Sequence, residues 1–205
     1  MDYPKINVMD TIKDGFQLAL KNVLPLILLV ILYVLTVWIP YLNVGTTVGL
    51  YKAVIAMGRG EVVDPVSIFN KENFKYFGNL FLLLGLMTMG ITTATAFLFV
   101  PGIILSIAWG FAVYLLVDKD VSPLKALTAS YDITLGEKWR IFAISLLLGL
   151  IIGLVSGIFT LIPKVGFIFV IITVIVGCAF AVAVEALMYR HFADKYDAMK
   201  EAGEI

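Results

Sequence analysis

The chain has 205 residues, of which 61% are apolar and 15% charged, against about 45–50% and about 25% in an ordinary soluble domain. That excess is too large for one soluble core at this length, and it excludes a disordered chain, a collagen-like repeat and a nucleic-acid-binding domain. Fifteen Lys and Arg balance fifteen Asp and Glu, so net charge points to no polyanionic partner.

Taken in chain order, four uncharged intervals set the predicted spans: Asn22–Tyr51, Tyr76–Val117, Ile141–Pro163 and Val165–Val184. A helix needs about 20 residues to cross about 30 Å of hydrocarbon, so the first two intervals are long enough for hairpins. Breakers sit where those hairpins should turn, at Trp38–Asn43, at Val100-Pro101-Gly102 and at Leu161–Lys164. The expected spans are 22–39, 43–58, 78–98, 101–117, 140–161 and 165–189. Continuous apolar runs such as Leu80–Leu86 suit helices, which satisfy their own backbone in lipid, and not the alternating strands of a barrel. The expected fold is all-α: one polytopic membrane domain over 1–205, with six transmembrane helices arranged as three hairpins.

Each hairpin follows a short amphipathic segment, near 9–21, 65–77 and 123–135. The first places Met9, Ile12, Phe16 and Leu20 on one helical face. The second opens Asp64-Pro65 and carries Phe69, Phe74 and Phe77. The third opens Ser122-Pro123 and places Leu124, Leu127, Tyr131 and Leu135 in register. Asp or Ser before Pro is an N-cap followed by a first-turn residue. The pattern predicts three units of interfacial helix plus hairpin. Fourteen of the fifteen Lys and Arg fall in the termini, the Lys52–Lys75 region and the Lys119–Arg140 region, leaving only Lys164 for the opposite side. By the positive-inside rule both termini are cytoplasmic, in a multi-pass protein of the cytoplasmic (inner) membrane.

Small residues recur four apart: Ser145, Gly149, Gly153 and Gly157; Gly102, Ser106 and Gly110; Gly45, Gly49 and Ala53. Such stripes let helix backbones approach closely, and packing within the chain is expected at each. Gly153→Leu should then cost about 1–3 kcal/mol by overpacking. A dimer face or a sliding contact is the functional alternative.

Chemistry-bearing clusters are sparse. Cys178 has no partner for an internal disulfide, and His191 has neither a cysteine nor a second histidine with which to hold a metal; a zinc-type site needs three or four ligands. No triad, P-loop or dinucleotide fingerprint can be assembled, so no enzyme, cofactor or metal is expected. The candidate polar or ligand contacts inside the membrane are Lys52, Thr92, Trp109, Arg140 and Glu185. Arg140 and Glu185 lie at equal distance from the Ile162-Pro163 turn, which predicts an ion pair at the inner interface, with a proton-relay carboxylate as the sharper alternative. Thr46, Thr47, Thr88, Thr92, Thr93 and Thr95 make the second and third spans rich in hydroxyls, a weak sign of a conduit because threonine also bonds its own helix. Trp109 falls mid-span, where packing against small residues is expected. Lys52 would lie about 14 Å inside its span, either snorkelling to the cytoplasm or facing an anionic group such as a lipid phosphate.

One stretch carries a family resemblance. Pro101-Gly102-Ile103-Ile104-Leu105 opens a span ending at Asp118; Ser122-Pro123-Leu124-Lys125-Ala126-Leu127, Ser130 and Gly136-Glu137-Lys138-Trp139-Arg140-Ile141-Phe142 follow. Over residues 45–150 this resembles the YciC-like bacterial and archaeal membrane proteins and the related membrane domain of some glycerophosphoryl diester phosphodiesterases. The resemblance implies a polytopic helical fold and no catalytic residues. The expected role is structural, envelope-related or lipid-interacting, with membrane lipids as partners and no nucleic acid. A small transporter or channel is the alternative, as is an assembly partner docking through its cytoplasmic helices. Whether the chain forms a homo-oligomer or meets another membrane protein is left open by the residues.

Overall fold

The computed structural model describes residues 3–162 and 166–205, and among them every regular element is helical. In chain order they are α1 Val8–Lys21, α2 Val23–Thr36, α3 Leu42–Gly58, α4 Phe77–Phe97, α5 Phe99–Ala108, α6 Ala112–Lys119, α7 Pro123–Ile133, α8 Lys138–Thr160 and α9 Gly166–Glu201. Two 3₁₀ turns, Pro65–Phe69 and Lys71–Tyr76, precede α4. Local chemistry sets the starts. The Asn7 side chain accepts from the Met9 and Asp10 amides at α1, and Asp64 accepts from the Val66 amide ahead of the first 3₁₀ turn, with Pro65 in its first position. The Pro163-Lys164 part of the last expected turn lies outside the described residues.

Four stretches are long and apolar enough to cross a membrane: Lys71–Phe97, Phe99–Lys119, Lys138–Thr160 and Gly166–Glu201. A fifth arises if α1 and α2, which meet at 88°, are taken as one broken span. The long helices pair as two hairpins, α4 with α5–α6 and α8 with α9. Their outer faces carry large bare side chains such as Phe81, 72% exposed, and Leu154, 69% exposed. A water-soluble monomer does not leave so much apolar surface uncovered; this is a multi-pass membrane protein.

The first expected hairpin departs from the six-span expectation. Helices α2 and α3 have 14 and 17 residues, about 21 and 26 Å at 1.5 Å per residue, short of the hydrocarbon thickness. The tip expected on the far side instead meets the charged end of α4: the Tyr41 ring stacks on Phe74 at 5.0 Å and lies 5.4 Å from Phe77. At the other end of α3, Arg59 pairs with Asp118, at the end of α6. Both ends of α3 therefore touch the charged ends of the first long hairpin, and α3 lies across them. The three-unit repeat is corrected with it, because the first unit lacks long spans and the second has 3₁₀ turns where the third has α7.

The core sits at this charged end. Leu26, Leu29, Met57, Leu116, Ile133 and Phe192 are fully buried there, around the C-terminal half of α9. That helix has 36 residues, about 54 Å, and runs far past the 189 expected as its end. The amphipathic helices pack with an unexpected side inward. Gly15 and Ala19 of α1, and Ala126, Ala129, Ser130 and Ile133 of α7, are buried, whereas Met9, Phe16, Leu20, Leu124, Tyr131 and Leu135 are exposed. The expected apolar stripes thus face mostly away from the protein, apart from Leu127, part of Ile12, and Phe16, whose half-exposed ring stacks on Phe180 of α9 at 4.7 Å.

The glycine stripes divide likewise. A Cβ on Gly49 would strike the Ile68 backbone, one on Gly45 the Phe74 ring, and one on Gly102 the Thr95 side chain. Gly110 is close only to the Ser106 and Ile107 carbonyls of its own chain segment. Gly149, Gly153 and Gly157 have nothing within 4 Å of a built Cβ, so the close packing expected of Gly153 is corrected. Detergent unfolding should show Gly153→Leu within about 0.5 kcal/mol of the parent, and Gly49→Leu destabilised by about 1–3 kcal/mol. For topology, single cysteines at Tyr41 and Lys71, in a Cys178→Ser background, should be labelled from the same side of the membrane. Labelling from opposite sides would restore the six-span arrangement.

Candidate functional site

The second long span breaks near its middle. Helix α5 stops at Ala108 and α6 resumes at Ala112, with Trp109 and Phe111 near φ −99° and −97° and ψ close to zero. Glycine at 110 weakens the helix locally, and the Trp109 ring fills the space over Gly90 of α4, as the sequence suggested for this residue. Broken backbone inside a membrane must find other partners. Here Ser130 of α7 supplies them: its hydroxyl accepts from the Phe111 amide at 3.2 Å and donates to the Ala108 carbonyl at 2.7 Å. Sequence reasoning saw Ser130 only as part of a family pattern. Its signal was a hydroxyl in the buried stripe of α7, where an apolar residue would be expected.

Beside this break a cavity of about 560 Å³ opens between the two long hairpins. Ile103, Ser106 and Gly110 line it from the α5 side, Ser145 and Gly149 from α8, and Glu185 from α9. Ile141 and Ile152, both in its wall, are 11 residues apart on α8 and so about 16 Å apart. Glu185 is its one charged lining residue. The Tyr114 hydroxyl is aligned on the Glu185 carboxyl. Tyr189, one helical turn further along α9, donates to Asp118 at 2.8 Å, and Asp118 also holds Arg59. Glu185 therefore lies one turn, about 6 Å, inside the layer of ion pairs.

The other sequence candidates do not join this site. Arg140 forms no ion pair with Glu185 among the described residues; its Nη1 is buried without a hydrogen-bond partner. Equal counting from the turn predicted equal depth but could not fix the helix faces. Thr92 is exposed and bonds back to the Thr88 and Met89 carbonyls, while Thr88 and Thr95 bond the carbonyls of Leu84 and Ile91. The hydroxyls of Thr88, Thr92 and Thr95 thus satisfy their own helix. Lys52 takes neither expected course. Its Nζ donates to Asn73 Oδ1 at 2.9 Å, and Asn73 in turn donates to the Ser67 and Ile68 carbonyls of the 3₁₀ segment.

A second polar centre closes the charged end. Glu137, buried just before α8, accepts from the Ile6 amide at 2.8 Å and from Lys195 at 3.2 Å. His191 Nε2 stands 3.6 Å away, beyond hydrogen-bond reach, with Tyr3 packed edge-on to its ring at 5.3 Å. Lys195 also donates to the Ile133 carbonyl at 2.6 Å. This carboxylate thereby ties the N-terminal segment, the end of α7 and α9 together. Burial pushes the Glu137 carboxyl up, but the facing His191, the Ile6 amide and Lys195 outweigh it and hold it down at about 2.

Comparison with protein-family models, with curated proteins and with solved structures found no match. Function therefore has to be read from the residues and their geometry. For Glu137 the folded value lies below the ordinary 4.5, so its contribution is present above pH about 4.5 and lost as the pH falls through about 2. Glu137→Gln should lower stability at pH 7 by on the order of 3 kcal/mol, as when one partner of a buried pair is removed. Unfolding across pH should show the gap to the parent narrowing below pH about 4.5; a gap independent of pH would remove the carboxylate from this role.

Proposed function

We propose that the protein is a lipid-interacting protein of the cytoplasmic membrane that binds an amphiphile in the cleft between its two long hairpins. The 560 Å³ cavity beside the broken span carries this reading, because its walls are mostly apolar and a single carboxylate stands near the charged end. Pockets of a few hundred Å³ with apolar walls and few polar groups are what small ligands use. The role is binding and not catalysis: Ser106 donates to its own helix at Ile103, and Glu185 is aligned with a tyrosine, so no nucleophile–base pair is assembled.

In this reading the four long stretches cross the bilayer, α2 and α3 lie at one interface, and both termini are cytoplasmic. The charge count supports that orientation, since the uncharged Trp38–Asn43 tip leaves it unaltered. On the residues from Pro101 to Phe142 quoted above, the protein is placed with the YciC-like membrane proteins. A transport role is the second reading, favoured by the helix break, because discontinuous helices near mid-membrane commonly flank transported substrates.

Gly149 lines the cavity and a Cβ there meets open space, so Gly149→Phe should fill the cleft without disturbing the bundle. Native mass spectrometry of protein released from mild detergent should show a retained amphiphile on the parent and at least a tenfold smaller adduct on this variant. Equal retention by a variant of unchanged thermal stability would dismiss the cleft as the binding place.

A further inference from the structure

Among the described residues nothing cationic lines the cleft: of its lining side chains only Glu185 is acidic, and no Lys, Arg or His stands among them. The ion pairs around Asp118, Glu137 and Asp197 do not include it. Arg140, the expected partner, is not joined to Glu185. The carboxyl is half-buried, open to the cavity, and aligned on one side with the Tyr114 hydroxyl. A carboxylate has about four lone-pair sites, so one hydroxyl does not saturate it.

Depth and direction add to this. Glu185 stands one turn inside the layer formed by Arg59, Asp118, Lys119 and Asp197. The cavity runs from there along Ser145 and Gly149 to Ile152, deeper between the hairpins. A polar head at Glu185 would sit just beneath the charged interface while its chain lay against the apolar wall. An anionic head would meet an unscreened like charge there. A neutral head would leave the carboxyl unpaired, where it can hold a proton instead of a charge. An ammonium head is the one that gives the ionised carboxylate a partner.

We infer that the cleft selects a cationic amphiphile, an alkyl chain with an ammonium head, and that Glu185 is the residue that recognises the head. This rests on the cleft-binding reading above. The shape supplies apolar contact for the chain, and the one carboxylate supplies charge complementarity at close range in a weakly polar setting. Ser106 and Ser145 flank the cavity; Ser106 is engaged with Ile103, which leaves the carboxylate as the discriminating group.

Two diazirine-bearing probes of equal chain length, an alkylammonium and the matching alcohol, would be photo-crosslinked to the full chain in phosphatidylcholine nanodiscs and mapped by mass spectrometry. The expected result is ammonium labelling of α8 and α9 beside the cleft at least tenfold above the alcohol. Glu185→Gln should reduce that preference to near unity while the alcohol labelling is unchanged. Gln keeps the size of the side chain and a group able to meet Tyr114, and thermal unfolding would check that the variant is folded. Should it not fold, the parent's preference measured against Gly149→Phe decides the matter. Equal labelling by both probes in the parent would overturn the charge selection and leave the cleft standing. Labelling by neither, or labelling that Gly149→Phe leaves intact, would overturn the cleft reading itself.

Discussion

A span that stops its helix at Ala108 and resumes at Ala112 must satisfy the freed backbone without water, and one hydroxyl does so. Ser130 takes the Phe111 amide and gives to the Ala108 carbonyl, so the break is stapled by a helix that does not itself cross. Much of the architecture follows from that junction. It seats α7 in the core, against the break. It also places Gly110 and Phe111 in the wall of the cleft instead of in a continuous helix. An unsatisfied amide there would cost on the order of 1–3 kcal/mol, enough to favour closing the helix and remaking the wall.

Two buried carboxylates then tie the elements around that junction. Asp118 gathers Arg59 of α3 and Tyr189 of α9, while Glu137 gathers the Ile6 amide and Lys195. Each lies at the end of a different long hairpin, and each reaches across to α9. The helix is consequently held at two levels of its C-terminal half, and its N-terminal half pairs mainly with α8, with Phe16 of α1 stacked on Phe180. Glu185, between the cleft and these ties, takes no part in either ion-pair cluster.

The composition and uncharged intervals made the helical membrane class legible, together with the rough positions of the long helices and the small-residue seat of Trp109; the fourth expected span begins at Phe99, two residues before the expected Pro101. The disposition of the first hairpin was not legible. Its tip, Trp38–Asn43, carries no charge, so counting lysines and arginines gives the same sidedness whether that tip crosses or turns back. Helix faces were misjudged where apolar size was taken as the guide. In a soluble domain the largest residues point inward; beside lipid they are free to point outward, and Gly15, Ala19 and Ala126 make the close contacts instead. The Gly149–Gly157 stripe shows the converse, small residues with no helix against them. Glu185 was singled out as a polar group of interest, but its partner depended on rotation about two helix axes, which equal spacing from a turn does not encode.

The outward stripes of α1 and α7 have a consequence for the surrounding lipid. At the charged end the cross-section includes α1, α2, α3 and α7 as well as the long helices, whereas the opposite end contains the hairpin tips alone. In the placement proposed above, with the long hairpins crossing the bilayer and α1, α2, α3 and α7 at one interface, the molecule is a wedge. Met9, Phe16, Leu20, Leu124 and Tyr131 add apolar width on one side only. Each copy therefore displaces more acyl chains from one leaflet than from the other. A bilayer accommodates such an area mismatch by bending, so the shape couples the local density of this protein to membrane curvature.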